Sequence, residues 1–287
     1  MTPFRAVLIW TTVALYLAAR ILQLYADRIP SLFIVVLHVA PPAAFAILHG
    51  QIRYRAKGIL IFTAVCLGTG AAAETLSLRT GFPFGEYYFT DVMGPKVFEV
   101  PILLVLAYLG IGYCSWILSL IILDSQRKRL SGTRVFAIPL LASFIMLAWD
   151  VSMEADWSTV DKAWIWRQGG PVYGVPISNF VGWYLTAYIY YQLFAFYERA
   201  KGTTLRQFPW EFWFAAIVLY AVCGFGNLLI LPTPMGPPQI LDATGKQWLT
   251  SDILRTCALS SVFVMGSIAV MAYRGLSRSF NKHADLT

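Results

Sequence analysis

Long apolar runs separated by short polar ones fill the whole chain. Eight of them come close to the ~20 residues that cross a bilayer as a helix. They lie at about Ala6–Tyr25, Ser31–His49, Gly58–Leu78, Val100–Leu123, Val135–Val151, Ile177–Tyr197, Phe212–Leu231 and Ile253–Tyr273. The second holds His38 and the pair Pro41-Pro42, and proline is tolerated in a membrane helix with a kink. This pattern predicts an all-α polytopic membrane protein: one domain, residues 1–287, built as a bundle of about eight transmembrane helices. No linker or low-complexity tail divides it. The apolar run after Arg5 lacks a small-residue cleavage site and reads as a first span rather than a signal peptide.

Composition agrees. Of 287 residues, 58% are hydrophobic and 13% charged, against about 25% charged in a soluble domain; the mean hydropathy is +0.62. The net charge of +7 does not mark a nucleic-acid binder, because the basic residues fall in short clusters between spans. With the N-terminus inside, the inner segments hold Arg5; Arg53, Arg55, Lys57; Arg127, Lys128, Arg129, Arg134; Arg199, Lys201, Arg206; and Arg274, Arg278, Lys282, fourteen of the 22 basic residues. Of the acidic residues, Asp124, Glu198, Glu211 and Asp285 lie inside and the rest outside. The positive-inside rule thus predicts a cytoplasmic (inner) membrane protein with both termini cytoplasmic. Cys66, Cys114, Cys223 and Cys257 all fall in apolar segments, which predicts free, buried thiols.

The outer loops are the elaborated ones. Gly81–Pro101, GFPFGEYYFTDVMGPKVFEVP, holds six backbone breakers, so no regular helix or central strand runs through it. Between them stand Phe82, Phe84, Tyr87, Tyr88, Phe89 and Phe98, with charges at Glu86, Asp91, Lys96 and Glu99. Two readings fit: a folded cap over a pocket, or an interfacial aromatic belt. The loop Gly169–Phe180, GGPVYGVPISNF, echoes its spacing; Leu231–Pro238 is a weaker echo, too weak for a true repeat.

Ionisable groups inside spans are costly and usually face the bundle interior. Glu74 lies about one turn before the end of the third span. Asp150 and Glu154 close the fifth, four apart and so on one helix face. Asn179 opens the sixth. All are expected at similar depth, with Asp91, Tyr87 and Tyr88 above them. Plainer readings stand beside the chemical one: a salt bridge from Glu74 to Arg79, Arg20 or Arg255, headgroup solvation of Asp150 and Glu154, a helix cap at Asn179, a solvated turn at Asp91. Arg20 and Arg255 read as structural counter-charges, His38 and His49 as packed or interfacial, and Asn227 as an interhelical hydrogen bonder. Three histidines are too few for the histidine boxes of a membrane di-iron enzyme. The chain has no H-E-x-x-H, phosphate loop, dinucleotide fingerprint or nucleophile elbow, and no aspartate-rich Mg²⁺ motif. An enzyme of this kind would work without metal or redox cofactor, through carboxyls and aromatic rings.

At Thr80-Gly81, Pro83-Phe84-Gly85, Tyr87, Thr90-Asp91, Gly94-Pro95-Lys96 and Val100-Pro101 the chain resembles the membrane carotenoid biosynthesis protein family. Trp149-Asp150 and Gly169–Trp183 resemble its second signature. Phe89 and Met93 stand where that family often has Tyr and Leu. The likeness is clearest over spans three to six. Characterised members are carotenoid 1,2-hydratases, so the resemblance implies a cofactor-independent hydro-lyase that adds water to the terminal C1=C2 bond of an acyclic carotenoid end (lycopene, γ-carotene or C50 type). Such chemistry needs a neutral carboxylic acid to protonate the alkene, rings to stabilise the cation and a placed water. Burial favours the neutral form of a carboxyl. Asp150 is the expected acid and Glu74 its partner, with Glu154, Asn179 or Asp91 placing water; Phe84, Tyr87, Tyr88, Trp149 and Tyr173 would bind substrate. The implied partners are a carotenoid, membrane lipid and other enzymes of the same pathway. Alternatives are an isoprenoid cyclase or isomerase, and a non-catalytic carotenoid- or lipid-binding membrane protein.

Overall fold

The computed structural model describes residues 2–26, 28–202, 206–232 and 236–284. Asp285 and residues 233–235 of the third outer loop lie outside them, as does the side chain of Lys282. The chain is all-α apart from short hairpins. Its helices are α1 (Pro3–Leu22), α2 (Ser31–Thr80), α3 (Ile102–Ile122), α4 (Arg134–Ala155), α5 (Ile177–Lys201), α6 (Trp210–Leu229), α7 (Thr250–Ser260) and α8 (Gly266–Ala284). Single π-helical turns extend α4 through Asp156–Val160 and join α7 to α8 through Ser261–Met265.

Among the described residues, six helical stretches are long and apolar enough to cross a membrane. Two features separate that number from the eight runs of the sequence. The fifty-residue α2 is one of the six, although it doubles back within itself. The 25-residue α5 is long enough but more polar, and it packs along α4 and α2.

The reversal in α2 occurs at one residue. Arg55 has φ 62° and ψ 174°, a region that side chains other than glycine rarely occupy. The two halves, 31–54 and 56–80, then fold against each other. A Cβ on Gly50 would lie 2.3 Å from Ile59 Cδ1, and one on Gly58 2.7 Å from Tyr54 Cβ. Both halves pack on α3. Going along α3, Gly110 meets Pro42, Tyr113 bonds His49 and Trp116 bonds Tyr54; returning, Tyr113 meets Phe62 and Tyr108 meets Glu74. The helix runs on through Pro41 and Pro42. Gly110 gives the Pro42 ring the space it needs, since a Cβ there would sit 2.6 Å from it. With helices on all sides, α3 is apolar all round, as an enclosed helix must be. All four cysteines are free and buried. His49 is buried between the Phe45 and Phe212 rings, and Asn227 bonds Ser152 O and Ser261 Oγ on neighbouring helices.

Broken loops cover one end of the bundle. Strand β1 (Tyr87–Phe89) from the first pairs antiparallel with β4 (Trp164–Trp166) from the second, Tyr87 opposite Trp166 and Phe89 opposite Trp164. Strands β2 (Lys96–Val97) and β3 (Val100–Pro101) form a hairpin whose turn residues, Phe98 and Glu99, both have positive φ, the geometry a two-residue turn needs. Strands β5 (Gln239–Leu241) and β6 (Gln247–Leu249) make a third hairpin.

Candidate active site

Strand alternation sorts the first loop. Successive side chains of a strand point to opposite faces, so Tyr87 and Phe89 turn down into the bundle and Tyr88 turns out. On β4, Trp164 and Trp166 turn down beside them. The Tyr87 and Trp166 ring centroids are 4.8 Å apart. The loop is tied to the helices below: Ser77 Oγ donates to Gly85 O, the Phe84 amide donates to Ser77 Oγ, and Ser178 Oγ donates to Phe84 O.

Under this ribbon lie Glu74, Asp150, Glu154 and Asn179, all buried. Glu74, near the end of α2, accepts from Tyr108 Oη at 2.7 Å and from Tyr87 Oη through its other oxygen. Glu154 Oε1 accepts from two indoles, Trp164 Nε1 at 2.7 Å and Trp166 Nε1 at 2.9 Å. Asn179 Nδ2 donates to Asp150 Oδ2 at 3.2 Å, and the Asp150 carboxyl lies within hydrogen-bonding reach of Glu154. Asp150 lies within electrostatic reach of both Glu154 and Glu74. Among the described residues none of the three carboxyls takes an ion-pair partner. The salt bridges open to Glu74 on sequence grounds do not form, because Arg20 turns to Asn227 and the phenols reach Glu74 first. Asn179 does not cap its helix; Pro176 holds that position.

A small cavity of about 20 Å³ sits among Glu74, Glu154, Asn179 and the rings of Phe84, Tyr87, Trp164, Trp166 and Trp183. Asp150 stands behind it, one hydrogen bond away through Asn179. A second cavity, about 60 Å³ and mostly apolar, lies alongside and shares Leu104 and Trp164 with the first. Trp149, Met153, Pro42 and Ile111 help line it, with Arg20, His38 and Asn227 as its polar side. Among the described residues no group of three or more His, Cys, Asp or Glu is placed to hold a metal ion.

Three expected members lie elsewhere. Asp91 does not hang over the carboxyls: its side chain is fully in solvent and pairs with Lys96 at 3.1 Å. Asp91 opens the 3₁₀ turn directly after the strand, in which Met93 is the buried residue. Tyr88 is 44% exposed by strand alternation and lies under Arg167. Tyr173 has φ 53° and is turned toward the third hairpin, with its hydroxyl on Thr256 Oγ1 and its ring against Trp248. Sequence reasoning missed Tyr108, Trp164, Trp166 and Trp183. The alternation Trp-Ile-Trp at 164–166, a period-2 pattern in an otherwise helical chain, was the available signal for two of them. Nothing local singles out Tyr108; Trp183 closes the second signature, Gly169–Trp183, with no role in the site attached to it.

A helical membrane protein with a loop-capped pocket of buried carboxyls is thus the class defined by fold and site. The family described as carotenoid biosynthesis protein matches residues 31–240, and the chain belongs to it. A curated relative, bisanhydrobacterioruberin hydratase of Haloarcula japonica, is 28% identical over 129 residues, which cover 44% of this chain and 42% of that protein. The match therefore spans less than half of the relative's length. No solved structure matches this chain.

Proposed function

We propose that the protein is a carotenoid 1,2-hydratase that adds water to an acyclic ψ-end. The observation that carries this is a buried, ring-lined pocket whose carboxyls receive different donors and, among the described residues, no basic partner. Charge separates their roles. Three uncompensated negative charges in a buried site are very costly, so the set retains a proton. Indole N–H groups only donate, and two of them converge on Glu154 Oε1, so Glu154 suits the ionised form. The phenols on Glu74 can donate or accept and tolerate it neutral.

Glu74 therefore gives its proton to C2 of the terminal alkene, and a tertiary cation forms at C1. The faces of Trp164, Trp166 and Trp183 stabilise it, a contact worth about 2 kcal/mol when desolvated. Water adds to C1 and loses its proton to Glu154. Asp150, expected from the sequence as the acid, stands one layer back with Asn179 and suits the return of that proton toward Glu74. The adjoining hydrocarbon runs toward the second, mostly apolar cavity, past Trp149. The family relation and the hydratase relative support the substrate class. In this reading the chain is one membrane domain that crosses the cytoplasmic membrane eight times, α2 making two crossings and α5 one. Both termini are cytoplasmic, the cap is outside, and other pathway enzymes are neighbours.

Expression in a lycopene-producing host, with mass spectrometry of the pigments, tests the reaction. A product heavier by one or two waters is expected. Unchanged lycopene in membranes that hold folded protein would remove activity on that substrate, and γ-carotene and C50 hosts test the next. A new pigment of unchanged mass would make the protein a cyclase or isomerase instead.

A further inference from the structure

At the end of the bundle opposite the cap, a third pocket is lined by charged side chains that are mainly basic. It is a small cavity, about 20 Å³, between the α2 reversal, the end of α3 and the end of α5, with Lys128 and Arg129 on its rim. Arg53 lines it and is only 5% exposed. Its guanidinium lies 5.3 Å from the ring centres of Tyr54 and Trp213 and 5.9 Å from that of Phe208. Nη2 donates to Gln126 O at 3.2 Å. Nε and Nη1 have no hydrogen-bond partner among the described residues, nor does either polar atom of the Gln126 side chain.

Arg53 is not needed to cap the first half of α2. Arg206 Nη1 already donates to Ile52 O, and Lys201 Nζ reaches Tyr54 O. A buried guanidinium with two unmet donors is costly, about 1–3 kcal/mol for each group and more when charged. Rings satisfy its faces but not its edge. The fork that remains matches the oxygens of a phosphate. Arg129 and Lys128 stand at the mouth, both exposed, with Lys128 paired to Asp124. Glu198 also lines the pocket, and its carboxylate disfavours a multiply charged anion. A singly charged phosphodiester meets both conditions. It is the group that a phospholipid presents at the depth where these spans end, among the chain's basic clusters.

We propose that this pocket binds the phosphodiester of a phospholipid headgroup, with Arg53 holding its oxygens and Arg129 at the entrance. The site is independent of the reaction at the other end. The test uses the full chain, delipidated in mild detergent. Phosphatidylglycerol, an uncharged diacylglycerol glycolipid and inorganic phosphate are added separately, and bound phosphorus and thermal stability are read. Wild type is expected to bind about one phosphatidylglycerol tightly and to be stabilised by it, with no response to the glycolipid. Arg129→Ala should weaken binding about fivefold, the scale of an exposed charge contact. Arg53→Gln should abolish it. If Arg53→Gln does not fold, the Arg129→Ala titration decides alone. Equal stabilisation by inorganic phosphate would keep the phosphate site and make its source a free anion, overturning the lipid assignment. Equal binding by wild type and both variants, or no binding by wild type, would overturn the proposal.

Discussion

The cap has two faces made from the same short stretch of chain, and they have opposite chemistry. On the inner face, Tyr87 and Phe89 meet Trp164 and Trp166 above three buried carboxyls, and every polar group of the ribbon's rings has a fixed partner there. On the outer face, Tyr88 lies under Arg167, Asp91 pairs with Lys96 in water, and Phe98 stands 82% exposed at a hairpin tip. Residues adjacent in sequence thus end in environments of different dielectric. The same carboxyl chemistry is strongly coupled to its neighbours inside and screened outside. Aromatic density in the loop serves both purposes: half closes a pocket, and half forms the interfacial surface expected of a membrane protein.

That contrast is sharpest at Glu74. Glu74→Gln keeps the shape and removes the proton, so hydration should fall about 10²–10⁴-fold, the usual worth of a general acid. Pigment turnover in membranes containing equal amounts of folded protein measures it; a variant within threefold of wild type would remove Glu74 from the chemistry. Trp166→Phe comes next, since it takes one indole donor from Glu154 and leaves the apolar bulk. A hydrogen bond to a charged group is worth about 1.5–3 kcal/mol, so turnover should fall roughly tenfold or more, seen in kcat rather than KM. Gly182→Ala probes how the inner face is seated. Its Cβ would lie 2.6 Å from Phe84 Cδ1 and 2.9 Å from the Pro83 backbone. Lifting the loop from α5 should cost about 1–3 kcal/mol, read as a lower melting temperature together with reduced turnover. The smallest effect belongs to the outer face: Asp91→Asn should leave both turnover and melting temperature at wild-type values. A large loss there would place the outer face in the reaction and erase the distinction.

Much of this was legible in one dimension because membrane chemistry writes itself plainly into sequence. Apolar runs of spanning length, basic clusters between them and the four-residue spacing of Asp150 and Glu154 all report local rules. Glu74, Asp150, Glu154 and Asn179 stood out because polar groups inside apolar spans are expensive, and the structure gathers all four at one end of the bundle. The donors that tell the carboxyls apart were not legible. Tyr108 looks like any ring in an apolar helix, Trp183 stood in a signature with no role attached, and Trp164 and Trp166 reach Glu154 only through a strand pairing between two separate loops. The α2 reversal was equally hidden, because it turns on the backbone angles of one arginine with no glycine or proline at that position.

The sequence by itself determined the class of molecule and the number and place of its apolar runs, and it marked Glu74, Asp150 and Glu154 as the carboxyls at or within them, since each follows from the cost of putting charge or polar backbone into hydrocarbon. Tertiary structure alone decided which faces of the cap point inward, which donors each carboxyl receives and that Arg53 is left with an open edge. Those depend on contacts between residues far apart in the chain, and local pattern carries no record of such distances.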